Sequence, residues 1–225
     1  MVARFHLPEE YLLDYAAGTL PEAMALLVAT HLALCPQCRK ESYRLDEIGG
    51  ALLENCETVP VSSACKDAVM NAIATLPASC PCAPEPKPTD YCRIIPAPLR
   101  DYTGCGVGQI KWKRVFPGVW RAELPIGACT DSDTPKAKAR LVRVAAGKKL
   151  PKHTHEGNEA MLVLAGAFRD GPNLYRRGDI AFSEKGMTHA PKIEPTEDCM
   201  CLVVGEAPTK LLGFWGLLFN RFVTV

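Results

Sequence analysis

The sequence predicts a two-domain α plus β protein, with a helical bundle over residues 1–77 and a β-rich domain over residues 101–225. Three observations predict it. Apolar residues recur at helical spacing in the first third, proline crowds the stretch from Pro77 to Pro98, and short apolar runs broken by Gly, Pro and Asp turns fill the remainder. At 225 residues and 48% hydrophobic, the chain is long enough to bury two cores. Its 26 Lys and Arg nearly balance 25 Asp and Glu, a net charge of +1 with no long basic run. That balance gives no field for nucleic acid, so a protein partner or a small ligand is expected.

The first helix is expected in PEEYLLDYAAG, where Pro8, Glu9 and Glu10 suit a first turn and Gly18 suits a stop. Thr19 to Glu22 has capping-box spacing before EAMALLVATHLAL, a run of good helix formers that carries His31 near its end. Cys35-Pro36-Gln37-Cys38 then turns the chain. Pro36 fits the first turn of a third helix, and Leu45, Ile48, Leu52 and Leu53 keep helical spacing along it, with Gly49-Gly50 expected to weaken its middle. A fourth helix, SACKDAVMNAIATL, lines up Ala64, Ala68, Val69, Ala72, Ile73 and Leu76 as one apolar stripe, which ordinary core packing would explain. Residues 78–100, with CPCAPEPKP at their centre, exclude a helix or a central strand and read as a linker.

Beyond residue 100 the runs IKWKRVF, VWRAELPI, ARLVRVAA, AMLVLAG, DIAFS and CMCLVVGE predict a β-sandwich or small barrel. The apolar LLGFWGLLFNRFVTV is only fifteen residues and carries two glycines, too short to span a bilayer, and is expected to pack. MVARFHLPEEYLLDY acquires charge before an apolar signal segment could form, so a cytoplasmic protein is expected. In a reducing compartment eleven cysteines read as metal ligands, redox thiols or core residues rather than a disulfide framework.

The five histidines all fall in ligand-like settings. His31 and Cys35 lie one helical turn apart and Cys38 one turn further, so the three side chains can converge on a tetrahedral Zn²⁺. His6 is the expected fourth ligand, because a helical hairpin returns the chain start to the end of the second helix. A redox dithiol of the C-x-x-C kind and plain buried thiols are the alternatives. In the second half His153 and His155 share a strand face, Glu159 returns from the next strand, and His189 follows a turn-rich stretch. This set suits Zn²⁺, Fe²⁺, Mn²⁺ or Ni²⁺, and we expect a divalent metal, zinc foremost.

His31, Cys35 and Cys38 with upstream His6 resemble the H-x3-C-x2-C signature of zinc-binding anti-sigma factors. The resemblance implies a compact domain of three helices around zinc plus a fourth, which grips an extracytoplasmic-function sigma factor. Gly147 to Gly166 matches the first cupin motif, G-x5-H-x-H-x3-E-x6-G, residue for residue. Gly178, Gly186 and His189 match the second, which departs at Glu184 and Ile193. The two together resemble ChrR-type anti-sigma factors and imply a zinc-clasped helical bundle joined to a cupin, a jelly-roll-like β-barrel. They imply a transcription regulator whose zinc domain inhibits the sigma factor and whose cupin domain is needed for release by singlet oxygen or a related oxidant. On that reading Val69 and Ile73 are expected sigma contacts, and Cys199 with Cys201, on one strand face, are either a redox pair or two small core residues. A metal-dependent cupin enzyme, a dioxygenase or isomerase, is the alternative function, and a structural zinc adaptor a third.

Overall fold

The computed structural model describes residues 3–76, 94–103, 110–126, 137–207 and 209–212. The expectations for CPCAPEPKP and for all but the start of LLGFWGLLFNRFVTV lie outside the described residues. The chain is a helical segment, which the residue pattern predicts, followed by a jelly-roll-like β-barrel, where the pattern predicts a β-sandwich or small barrel and the resemblance implies the jelly roll.

Helix α1 (Glu9–Ala16) ends at Gly18, whose positive φ of 69° turns the chain while Gly18 and Thr19 donate back to the Tyr15 and Asp14 carbonyls. Helix α2 (Glu22–Leu34) starts behind Pro21 without a side-chain cap. The expected capping box is not formed, because the Thr19 hydroxyl donates to the Asp14 carbonyl instead. Helix α3 (Pro36–Glu54) has Pro36 in its first turn and the Cys35 sulfur accepting from the Cys38 amide. It runs unbroken through Gly49-Gly50, where no neighbour lies within 4 Å of either glycine's missing Cβ. Helix α4 (Ser63–Thr75) has no buried residue, so its apolar stripe is not internal core. Helix α5 (Ala97–Thr103) lies on α2 with Leu99 wholly buried, so residues 97–100, expected in the linker without a helix, are helical.

The strands are β1 (Lys113–Phe116), β2 (Val119–Glu123), β3 (Lys138–Val144), β4 (His153–His155), β5 (Glu159–Ala165), β6 (Ala167–Asp170), β7 (Asn173–Arg176), β8 (Ile180–Ser183), β9 (Thr188–His189), β10 (Lys192–Ile193), β11 (Cys199–Gly205) and β12 (Thr209–Leu211). They form a six-stranded sheet of order β1-β2-β3-β11-β5-β8 and two three-stranded sheets, β10-β6-β7 and β12-β4-β9, all antiparallel. Strand β11 is central, and all seven of its residues are buried. Cys199, Cys201 and Val203 join Val163, Phe168 and Ile193 inside the barrel, while Met200, Leu202 and Val204 face the other way and join Leu141 and Leu162. Leu26, Leu27 and Val28 of α2 close over that second face, so one core runs through both segments. A strand covered on both sides must be apolar at every position, which accounts for the unbroken CMCLVVG.

Residues 3–7 form an extended arm across the start of β8. The amides of Arg4 and Phe5 donate to Asp179 Oδ1 at 2.5 and 3.1 Å, and the Ile180 amide donates to the Phe5 carbonyl at 3.3 Å. Ala3 and Leu7 are buried at its two ends.

Candidate metal centres

His6 closes the arm and points at the α2–α3 junction. Its Nδ1 lies 3.3 Å from Cys35 Sγ and 3.6 Å from Cys38 Sγ. Together with His31, one donor atom from each residue falls within 4.8 Å of all the others. A tetrahedral Zn²⁺ with its usual bond lengths has N···S edges of about 3.6 Å, so the spacing fits. One of the donors is also short of other partners. His31 is wholly buried, and neither of its ring nitrogens has a hydrogen-bond partner. A buried imidazole without partners is costly unless something absent from the protein itself occupies it, and a zinc ion answers that need. Burial, reinforced by nearby His6, pushes the His31 pKa down to about 4, which keeps the imidazole neutral, as ligation requires. Burial pushes the Cys38 thiol up to about 11, so metal binding there must displace a proton.

In the barrel, β4 and β9 pair with His153 opposite His189. His153, His155 and His189 converge with ligand atoms within 4.8 Å of one another, and His155 Nε2 lies 2.9 Å from His189 Nε2. Two of the rings are aimed from behind. His189 Nδ1 donates to Asp170 Oδ2 at 2.6 Å and His153 Nδ1 donates to the Pro151 carbonyl at 2.8 Å, which leaves the Nε2 of each facing inward. His155 Nδ1 is buried without a hydrogen-bond partner. Burial above all pushes His153 and His155 down to about 4, so both are neutral donors. Three imidazoles suit a divalent transition metal without choosing among them.

Glu159 is not brought into that group. Its Oε2 accepts from Arg140 Nη2 at 2.7 Å and stands 3.7 Å from His155 Nδ1. Burial raises its pKa against the pull of Arg140. Arg140, Glu159 and His153 line a cavity of about 180 Å³ together with Phe116, Val119 and Met161. Cys199 and Cys201 are buried on the inner face of β11 with their sulfurs 3.7 Å apart. The hydrogen bond with Cys199 and burial hold the Cys201 thiol well above its ordinary value. Val69 and Ile73 stand 54% and 56% exposed on α4.

Three supporting residues escaped the sequence reading. Asp170 and Asp179 sit in the turns FRDGP and RRGDI, where an acidic residue beside glycine passes for turn chemistry. Arg140 carried a readable signal, since alternation in ARLVRV places it on the face of Val142 and Val144, inside the barrel.

Comparison with known families and structures agrees with this layout. A family model described as the ChrR cupin-like domain matches residues 102–207, and a zinc-finger model matches residues 9–39, a span that holds His31, Cys35 and Cys38 but not His6. The anti-sigma-E factor ChrR of Cereibacter sphaeroides is 37% identical over 225 residues, the whole of both chains. The crystal structure of Rhodobacter sphaeroides SigE in complex with the anti-sigma ChrR superposes with a TM-score of 0.75 at 37% identity, covering 91% of this chain and 100% of that one.

Proposed function

The chain belongs to the ChrR family of anti-sigma factors, a family of regulators rather than enzymes, and from that premise we propose that it binds and inhibits an extracytoplasmic-function sigma factor. The inhibitory part is residues 1–77, and the cupin over residues 101–225 senses an oxidant of the singlet-oxygen type and triggers release. The observation that carries the first half is α4, which offers Val69, Met70 and Ile73 to solvent on a helix with no buried residue. An apolar face of this kind marks a docking surface, because water is a poor neighbour for it and nothing among the described residues covers it. The complex of the ChrR relative with SigE names the class of partner. Among the described residues no helix is long and apolar enough to cross a membrane, and the proposed partner places the site of action in the cytoplasm.

His6, His31, Cys35 and Cys38 hold zinc and tie the chain start to the α2–α3 junction, which sets the direction in which α3 leaves and α4 follows. His153, His155 and His189, with Glu159 beside them, hold a divalent metal, zinc foremost. When bound, that metal would supply an electrophilic centre. Asp170 and Pro151 orient the rings, and the apolar wall of Phe116, Val119 and Met161 limits water. Cys199 and Cys201 stand as the secondary redox element, since the Cys201 thiol, held protonated by its hydrogen bond with Cys199 and by burial, reacts more slowly than a thiolate.

The test captures the sigma factor on purified full-length chain and identifies it by mass spectrometry. Val69→Asp with Ile73→Asp is expected to abolish capture at unchanged zinc content. Capture that survives both charges would remove α4 from the interface. His153→Ala with Glu159→Ala is expected to keep inhibition and to abolish release by singlet oxygen, and normal release would remove the cupin centre from sensing.

A further inference from the structure

We propose that the barrel positions the fourth ligand of the zinc clasp: Asp179 and Tyr175 seat the arm of residues 3–7, and through that seat the state of the cupin centre sets how firmly His6 is held. This rests on the metal reading of both clusters and is independent of sigma binding.

Three of the clasp residues, His31, Cys35 and Cys38, lie on one short piece of chain that α2 and α3 hold rigid. His6 alone arrives from outside, on an arm with no helix of its own. Its anchors belong to the barrel. Asp179 is 3% exposed, and both of its oxygens are committed, Oδ1 to the Arg4 and Phe5 amides and Oδ2 to the Arg176 amide at 2.8 Å. The Phe5 ring, one residue from His6, packs on Tyr175 with centroids 4.5 Å apart. Gly178, the motif glycine with φ of 92°, lets the turn before β8 close on both sides of the clasp, its Cβ position lying 3.7 Å from the Cβ atoms of Ala3 and Leu34.

The same seat reaches the second centre. Tyr175 stacks on Phe168 at 4.9 Å and 21°, its register partner on β6. Two residues further along β6 is Asp170, which accepts from His189 at 2.6 Å. One hydrogen bond, two ring contacts and the intervening backbone of β6 and of the arm therefore join His189, Asp170, Phe168, Tyr175, Phe5 and His6. Contiguity permits coupling without establishing it, so the measurement must read the coupling itself.

The full chain loaded with Co²⁺ separates the two centres, because cobalt bound to two thiolates has a sulfur-to-metal charge-transfer absorption that a histidine-only site lacks. The rate at which a chelator bleaches that band is measured with the cupin site intact and with His153→Ala. In the unsubstituted chain His153→Ala is expected to change the bleaching rate at least about 5-fold, the lower end of ordinary coupling between sites. Tyr175→Leu is expected to speed bleaching with the cupin site intact and to erase the effect of His153→Ala. Asp179→Asn should act likewise, since an amide cannot accept on both sides. Tyr175→Phe keeps the stack and should restore the unsubstituted behaviour, which a merely destabilising substitution would not allow. Equal bleaching rates with and without His153→Ala in the unsubstituted chain would overturn the proposal. So would a coupling that persists in Tyr175→Leu, the variant that decides the matter if Asp179→Asn does not fold.

Discussion

Arg140 and Glu159 meet across β11 because Gly205, the residue opposite Glu159, puts no side chain between them. Their side chains are 14% and 6% exposed, so each is the other's replacement for water. Removing one charge of such a pair strands the other, at a cost of about 3–5 kcal/mol. Arg140→Met is therefore expected to lower the urea-unfolding stability of chelator-treated protein by about that much. The loss should shrink when metal is returned to the barrel, where Glu159 gains a cation within reach. A loss of the same size with and without metal would mean that Glu159 never leaves the Arg140 side. At this scale the sequence was legible wherever ligands follow one another on a single element. His31 with Cys35, and His153 with His155, share faces by helix and strand geometry alone. The choice of Glu159 between Arg140 and the histidines was not legible, because its neighbours come from separate strands.

Helix α3 survives two adjacent glycines because its first half is held by α1 and α2 and carries buried Cys38 and Ser42. Each glycine in a helix interior still costs about 1 kcal/mol relative to alanine. Open space surrounds both positions, so Gly49→Ala and Gly50→Ala are each expected to stabilise the chain by up to about 1 kcal/mol, read as a higher unfolding midpoint. A lower midpoint would show that the glycines serve a bend that α3 makes elsewhere, such as on a partner. The apolar stripe of α4 shows what periodicity leaves open, since it marks a face to be covered without saying by what. Helix α2 offered a sharper signal. EAMALLVATHLAL is apolar on all sides, and such a helix belongs in the middle of a core. Its faces meet α1, α3 and α5 as well as β3 and β11.

Across the whole molecule, both candidate metal centres contain buried histidines, His31 in one and His153 with His155 in the other. His31, His153 and His155 are each pushed down to about 4, chiefly by burial, against about 6.5 in an unfolded chain. Between those values the unfolded chain takes up protons that the folded chain refuses. Stability of the metal-free protein is then full above about pH 6.5 and is lost as pH falls toward about 4. The urea midpoint of chelator-treated protein is expected to fall from pH 7 to pH 5, with His153→Gln and His155→Gln flattening the fall. A midpoint indifferent to pH over that range would mean that the imidazoles are already solvated without metal.

Local spacing by itself determined the helical first third, the β-rich remainder, the pairing of His31 with Cys35 and Cys38 and of His153 with His155, and the alternation in ARLVRV, because these depend on which residues share a turn or a strand face. Tertiary structure alone decided that His6 is seated by Asp179 and Tyr175, that Glu159 pairs with Arg140, and that α2 lies against β11. Each of those contacts joins residues far apart along the chain. Their partners are selected by the packing of the folded core, and no local period encodes that packing.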